Sequence, residues 1–268
     1  MPDREVYPNA PLRLVTAEYR FPLSPVLTGA DLLTLLADTL GATLPVIEPV
    51  EALLQLNFGR SPAPPSVSGN GYRLLNRNRT TAVTVTSSRL AVETTAYRHW
   101  EDFRDEYVSV ALRALGDELG ALAGLERVGL RFINEIRGPS TSMAEDWQAY
   151  VNPDLLAAAR VATSGKLKTV QGALHLQMTD DAELLMRSGI LEGHVVDDSG
   201  PFTLPTPPQD GPFFLIDIDS FWTKSGPLAE WNTTAALEIS DKLHAPIDDL
   251  FESCITEKLR STVLRKGS

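Results

Sequence analysis

In the run PFFLIDIDSFW, Asp217 and Asp219 are separated by one residue. On an extended strand that spacing puts both carboxylates on one face, roughly 7 Å apart, the geometry with which oxygen ligands hold a divalent cation such as Mg²⁺. A second charged row stands in LERVGLRFINEIRGP, where Arg127, Arg131, Glu135 and Arg137 occupy the outward face of a strand whose other face is apolar. Guanidinium forks in such a row grip a phosphate or carboxylate ligand through paired hydrogen bonds. They grip a neighbouring side-chain carboxylate equally well. Each row therefore has two readings. In the functional one, Asp217 and Asp219 are metal ligands and Arg127, Arg131, Glu135 and Arg137 bind a ligand. In the structural one, the arginines pair with Asp217 and Asp219 across the wet face of a sheet and cancel the charge a ligand needs. The structural reading is the plainer, because a nucleotidyl-transfer site also requires a Gly-Ser phosphate loop, which the chain lacks.

The remaining chemistry-bearing residues are sparse. His175 and His194 fall on consecutive expected strands, but a metal site needs three or four convergent ligands and no third stands at matching spacing. They read as sheet histidines, and His99 and His244 as local cap or surface residues. Cys254 is the single cysteine, so no intrachain disulfide or thiolate cluster can form, and its apolar-periodic surroundings predict a buried, inert thiol. No G-x-S-x-G, G-x-x-x-x-G-K-[ST], G-x-G-x-x-G, H-E-x-x-H or paired C-x-x-C occurs. Elbow-type serine hydrolases, P-loop NTPases, dinucleotide enzymes and zincins are disfavoured accordingly, and no cofactor beyond a Mg²⁺ at the aspartates is indicated.

The elements that must position these residues follow from periodicity. Residues 12–21 alternate as a strand, Val15, Ala17, Tyr19 and Phe21 on one side and Thr16, Glu18 and Arg20 on the other. Thr28 opens a helix that Gly41 stops. EALLQLNF reads as a strand, GRSPAPPSVSGNG as a loop, and residues 72–97 as a meander of short strands. A long helix carries Trp100, Phe103, Tyr107, Val110, Ala114 and Leu122 on one face. The order then recurs: a strand over 127–137, a helix broken by Pro153, strands in LKTVQGALHLQM, ELLMRSGILEGHVV and PFFLIDIDSFW, and a final helix over 228–264. Its stripe is Trp231, Ala235, Ile239, Leu243, Ile247, Phe251, Ile255 and Leu259, and Pro246 is expected to kink or divide it. The expected fold class is α+β: tandem βαβββα-like units, residues 1–123 and 124–268, forming a largely antiparallel sheet with long helices packed on one face. One compact pseudo-duplicated domain is preferred to two lobes, because the junction GALAGLERVG is short.

A chain of 268 residues, 43% hydrophobic and 22% charged, builds a core without disulfides or metals. No apolar run is long enough to span a bilayer, and MPDREVYPNAPLR has no signal-like core, which predicts a soluble, cytoplasmic protein. The net charge of −11 opposes phosphate backbones and disfavours non-specific nucleic-acid binding, YRLLNRNRTT being the one local basic patch weighed against it. The same charge favours a basic protein partner, and the stripe on the last helix offers a surface for a homodimer.

YPNAPLRLVTAEYRF, ERVGLRFINEI, FLIDIDSF and LHAPIDDLFESCITEKLR, in that order, resemble the signature segments of a sporadically distributed bacterial family of conserved proteins of roughly this length and unknown function. The resemblance covers nearly the whole chain and transfers no catalytic residue. By analogy with other patchily distributed families it implies an accessory or defence-type locus. The leading expectation is a non-enzymatic module binding a protein or ligand. The alternatives are a metal-dependent enzyme on a phosphorylated or nucleotide substrate using Asp217 and Asp219, and a carrier of a small apolar ligand with a helix-grip-like pocket.

Overall fold

The computed structural model describes residues 5–28, 30–50, 71–140, 142–161, 167–196 and 200–266. The described residues form nine strands: β1 Leu12–Arg20, β2 Val46–Val50, β3 Gly71–Leu75, β4 Thr81–Thr86, β5 Arg89–Thr94, β6 Arg127–Ile136, β7 Val170–Gln177, β8 Ala182–Glu192 and β9 Pro212–Thr223. They form one sheet in the order β2-β3-β4-β5-β1-β6-β9-β8-β7, every neighbouring pair antiparallel. The fold is α+β with a large antiparallel sheet.

Alternation decides which face of the sheet is apolar. Val15 lies opposite Thr94 and Phe132, Ala17 opposite Val92 and Leu130, and Tyr19 opposite Leu90 and Val128, so one face is continuous from β5 through β1 to β6. Ile216, Ile218, Met186 and Ile190 extend it across β9 and β8, and all are buried. Two helices that pack on each other precede β6. The helix α1 is Ala30–Leu40, and α2 runs over residues 100–118, alternating α and π turns. Gly116, in the last π turn, lets Trp231 pack against the backbone: a Cβ there would stand 1.9 Å from Trp231 Nε1. A short helix, α3, is Ala144–Trp147, and a 3₁₀ stretch follows at Pro153–Val161, so the break expected at Pro153 is where the helical type changes.

Helix α4 is Thr233–Cys254. Tyr19 Oη and Ser240 Oγ are 2.7 Å apart in the core, Trp100 Nε1 donates to Asp241 at 2.7 Å, and Cys254 Sγ lies 3.5 Å from Met186 Sδ. These contacts join α4 to β1, α2 and β8. Three expectations for this helix are corrected. It starts at Thr233, where Asn232 caps the first turn by accepting from Ala235 N–H at 2.9 Å, so Trp231 lies outside it. It ends short of 264, where Ile255 turns extended to bridge Val151, after which residues 257–264 form α5 behind the Thr256 cap; Pro246 lies inside α4 and does not divide it. Its buried side is Thr233, Ala236, Leu237, Ser240, Leu243, Ile247 and Cys254, so Ala235 faces outward, and a serine anchored by a tyrosine hydroxyl sits where an all-apolar stripe was expected.

The strand expected in EALLQLNF and the loop after it, up to Asn70, lie outside the described residues. The five-residue strand β2, which carries Pro49, was not anticipated. No helix is long and apolar enough to cross a membrane among the described residues.

Candidate ligand pocket on the polar face of the sheet

The opposite face of the sheet carries the charge. Register puts Thr16, Glu18 and Arg20 of β1 beside Glu93, Ala91 and Arg89 of β5 and beside Arg131, Gly129 and Arg127 of β6. Asp219 lies directly across from Arg131, and Asp217 across from Ile133. Three clusters follow, each built on one carboxylate.

Glu18, 8% exposed, accepts from Arg20 at 2.8 Å, Arg89 at 2.5 Å and Arg127 at 3.0 Å. Burial alone would raise its carboxyl, but Arg89, Arg20 and Arg127 outweigh it and hold the pKa below the ordinary value. Beside it, burial raises Glu93 despite Arg89 and Arg73, and likewise raises Asp219 despite Arg127 and Arg131. Arg127 is thus committed to this cage. Its guanidinium also lies 3.7 Å from Asp219 and 4.8 Å from the Phe221 ring centroid.

Glu135, 3% exposed, holds the second cluster. It accepts from Arg13 at 3.2 Å, from Arg137 at 2.8 Å and from the backbone N–H of Val195 at 3.0 Å. Arg137 in turn donates to the carbonyls of Gly193, Gln209, Gly211 and Pro212 and covers the Phe213 ring. These two residues organise the connection between β8 and β9 and so fix the rim beside Val195.

Asp217, 4% exposed, is the third. Arg131 donates Nε and Nη2 to its two oxygens, both at 2.8 Å, and Arg187 approaches to 3.6 Å. The paired geometry raises the Arg131 pKa, Asp217 being the main cause. Above this pair opens a pocket of about 450 Å³ lined by Ile133, Leu191, Val195, Phe213 and Leu215 on its apolar side. Its polar side is Arg131, Lys168, Thr169, Glu192, His194 and Asp217. The volume lies within the range of small-molecule sites.

Of the row read from the sequence, Arg131 lines this pocket with Asp217, Glu135 and Arg137 stand behind it against Val195 and Phe213, and Arg127 and Asp219 belong to the Glu18 cage. Both Asp217 oxygens are taken by guanidinium, and among the described residues no group of three or more His, Cys, Asp or Glu is placed to hold a metal ion. His175 and His194 are not brought together. His175 pairs with Glu183 at 2.6 Å in mid-strand, and His194 lies past the end of β8 at the pocket. His244, expected at a cap or surface, is instead stacked on Trp100 at 4.9 Å inside α4. Cys254 is buried and its thiol is pushed up to about 11, so it stays protonated. In YRLLNRNRTT, Arg79 pairs with Glu48 and Arg73 bonds Thr84, so two of the three arginines of the basic patch have partners within the fold, while Arg77 is exposed.

Lys168, Thr169 and Glu192 escaped the sequence reading. Lys168 and Thr169 precede β7 and Glu192 ends β8, positions at which alternation carries little signal, and they reach the pocket because β7 and β8 pair beside β9. No protein-family model and no curated protein matches the chain.

Proposed function

We propose that the chain is a non-enzymatic binding module whose pocket takes a small organic anion, a carboxylate or phosphate on an apolar body. One observation carries the reading: beside an apolar wall, Lys168 is exposed and has no ion pair or hydrogen bond within the described residues. Arg131 spends Nε and Nη2 on Asp217 and keeps Nη1 for a ligand. Two acids offset these cations in part: Asp217 is shared by Arg131 and Arg187, and Glu192 keeps its charge while accepting from Ser142, so with Lys168 the formal balance at the pocket is one positive charge. The apolar wall of Ile133, Leu191, Val195 and Leu215 suits a hydrocarbon or aryl group.

The pairing order supports the tandem reading of the architecture. Outward from the β1–β6 contact, β1, β5, β4 and β3 run in the same succession as β6, β9, β8 and β7. On that reading the pocket, lined by residues between Arg131 and Asp217, falls within the second of two βαβββα-like halves.

Calorimetry with 4-phenylbutyrate and its primary amide, on wild type and Lys168→Ala, tests the proposal. The acid is expected to bind and the amide not. Loss of one charge-assisted contact, worth about 1.5–3 kcal/mol, weakens the acid roughly tenfold or more in the variant. Equal binding of acid and amide, or an affinity indifferent to Lys168, overturns it.

A further inference from the structure

The sheet has two edges, and they are built differently. At one, β2 carries Pro49, which has no N–H to offer a further strand, and Glu48, which is held by Arg79 at 2.8 Å. At the other, β7 has β8 as its one strand neighbour among the described residues. Its eight residues, VQGALHLQ, contain no proline, lysine, arginine, aspartate or glutamate. Residues 171–175 are exposed whichever face they point to, and Leu174 and Met178 are 38% and 43% exposed. An uncharged edge of this length with apolar side chains showing is a template for another strand, and natural sheets protect such edges unless they are used.

We propose that this edge pairs with β7 of a second copy, antiparallel about a twofold axis at Leu174. An antiparallel ladder sets residues of like orientation opposite one another, so a twofold axis must fall on a residue rather than between two. With the axis on Leu174 the strand is self-complementary. Leu174 faces its own counterpart, Val170 faces Met178, and Gln171 faces Gln177, so the exposed apolar groups cover each other and uncharged amides stand opposite one another. The net charge restricts where a second copy can dock. Two chains of net charge −11 repel over most of their surfaces, and β7 is a strip where neither brings a fixed charge to the other. Because the β2 edge is blunted by Pro49, pairing closes at two copies and does not propagate. The apolar side of α4, the surface read from the sequence as a dimer candidate, is already spent on the sheet.

Sedimentation equilibrium of the full chain is expected to return twice the chain mass of 29.3 kDa. Leu174→Lys, which sets two ammonium groups against each other on the axis, is expected to return the single mass. A wild-type protein that sediments as a monomer, or a dimer that Leu174→Lys leaves intact, overturns the proposal. Should Leu174→Lys fail to fold, Leu174→Cys decides. The Cα separation of directly paired strand residues suits a disulfide, and the sole native thiol, Cys254, is buried. Mild oxidation is expected to give a covalent dimer on non-reducing electrophoresis, and its absence overturns the assignment.

Discussion

Arg131 gives two of its nitrogens to Asp217, and what it can do for a ligand rests on the third. The pair is asymmetric: the Asp217 side chain is 5% exposed and that of Arg131 44%. Truncating the arginine strands a buried carboxylate. Arg131→Met is therefore expected to cost roughly 2 kcal/mol in a denaturant titration, below the usual cost of breaking a buried pair because water screens the exposed partner. Most of the loss should return in Arg131→Met/Asp217→Leu, which removes the stranded charge. Glu93 gives the opposite sign. Its folded pKa is raised by burial, so charging it opposes folding at neutral pH and costs nothing below the unfolded carboxyl value, where both states are protonated. Glu93→Gln should raise Tm at pH 7, with an advantage that fades as pH falls towards the ordinary carboxyl range. Glu18 is depressed, so its contribution is present above the unfolded value and is lost as acid protonates it through its lower folded pKa. Thermal melts across pH on the two variants Glu93→Gln and Glu18→Gln separate these signs.

At the scale of elements, the contacts between helices and sheet are polar as well as apolar. Ser240 Oγ donates to Ala236 O and so receives the Tyr19 hydroxyl proton, a buried link between β1 and α4. Tyr19→Phe removes one buried hydrogen bond, and a cost of about 1 kcal/mol, a few degrees in Tm, is expected from calorimetric melts. Gly116→Ala drives a methyl group into the Trp231 indole and should cost about 1–3 kcal/mol by the same measurement. These elements differ in how well they can be read. The strands β1, β6 and β9 were plain because each alternates over nine or more residues. The limits of α4 were not: Trp231 and Ile255 continue an apolar spacing past the places where Asn232 caps the helix and Val151 captures Ile255. A cap and a bridge are made by partners far along the chain, and periodicity does not register them.

For the whole molecule, the same distinction separates the charged face from the pocket. That Arg131 and Asp217 would meet was readable from two strand patterns, and the plainer of the two initial readings, intramolecular pairing, describes most of that face. The pocket was not readable, because Lys168 precedes β7, His194 follows β8 and Arg131 lies in β6. Their convergence depends on the crossover that seats β9 between β6 and β8. The central claim is that the charge network leaves the pocket beside Arg131 and Lys168 able to hold an anion. Amide and arginine side-chain NMR spectra recorded while 4-phenylbutyrate is added test it most directly. The account predicts that signals of Arg131, Val195 and Leu215 shift together and saturate while those of Arg89 and Arg127 in the Glu18 cage stay in place. Saturating shifts centred on the cage, or none at the pocket, would contradict it.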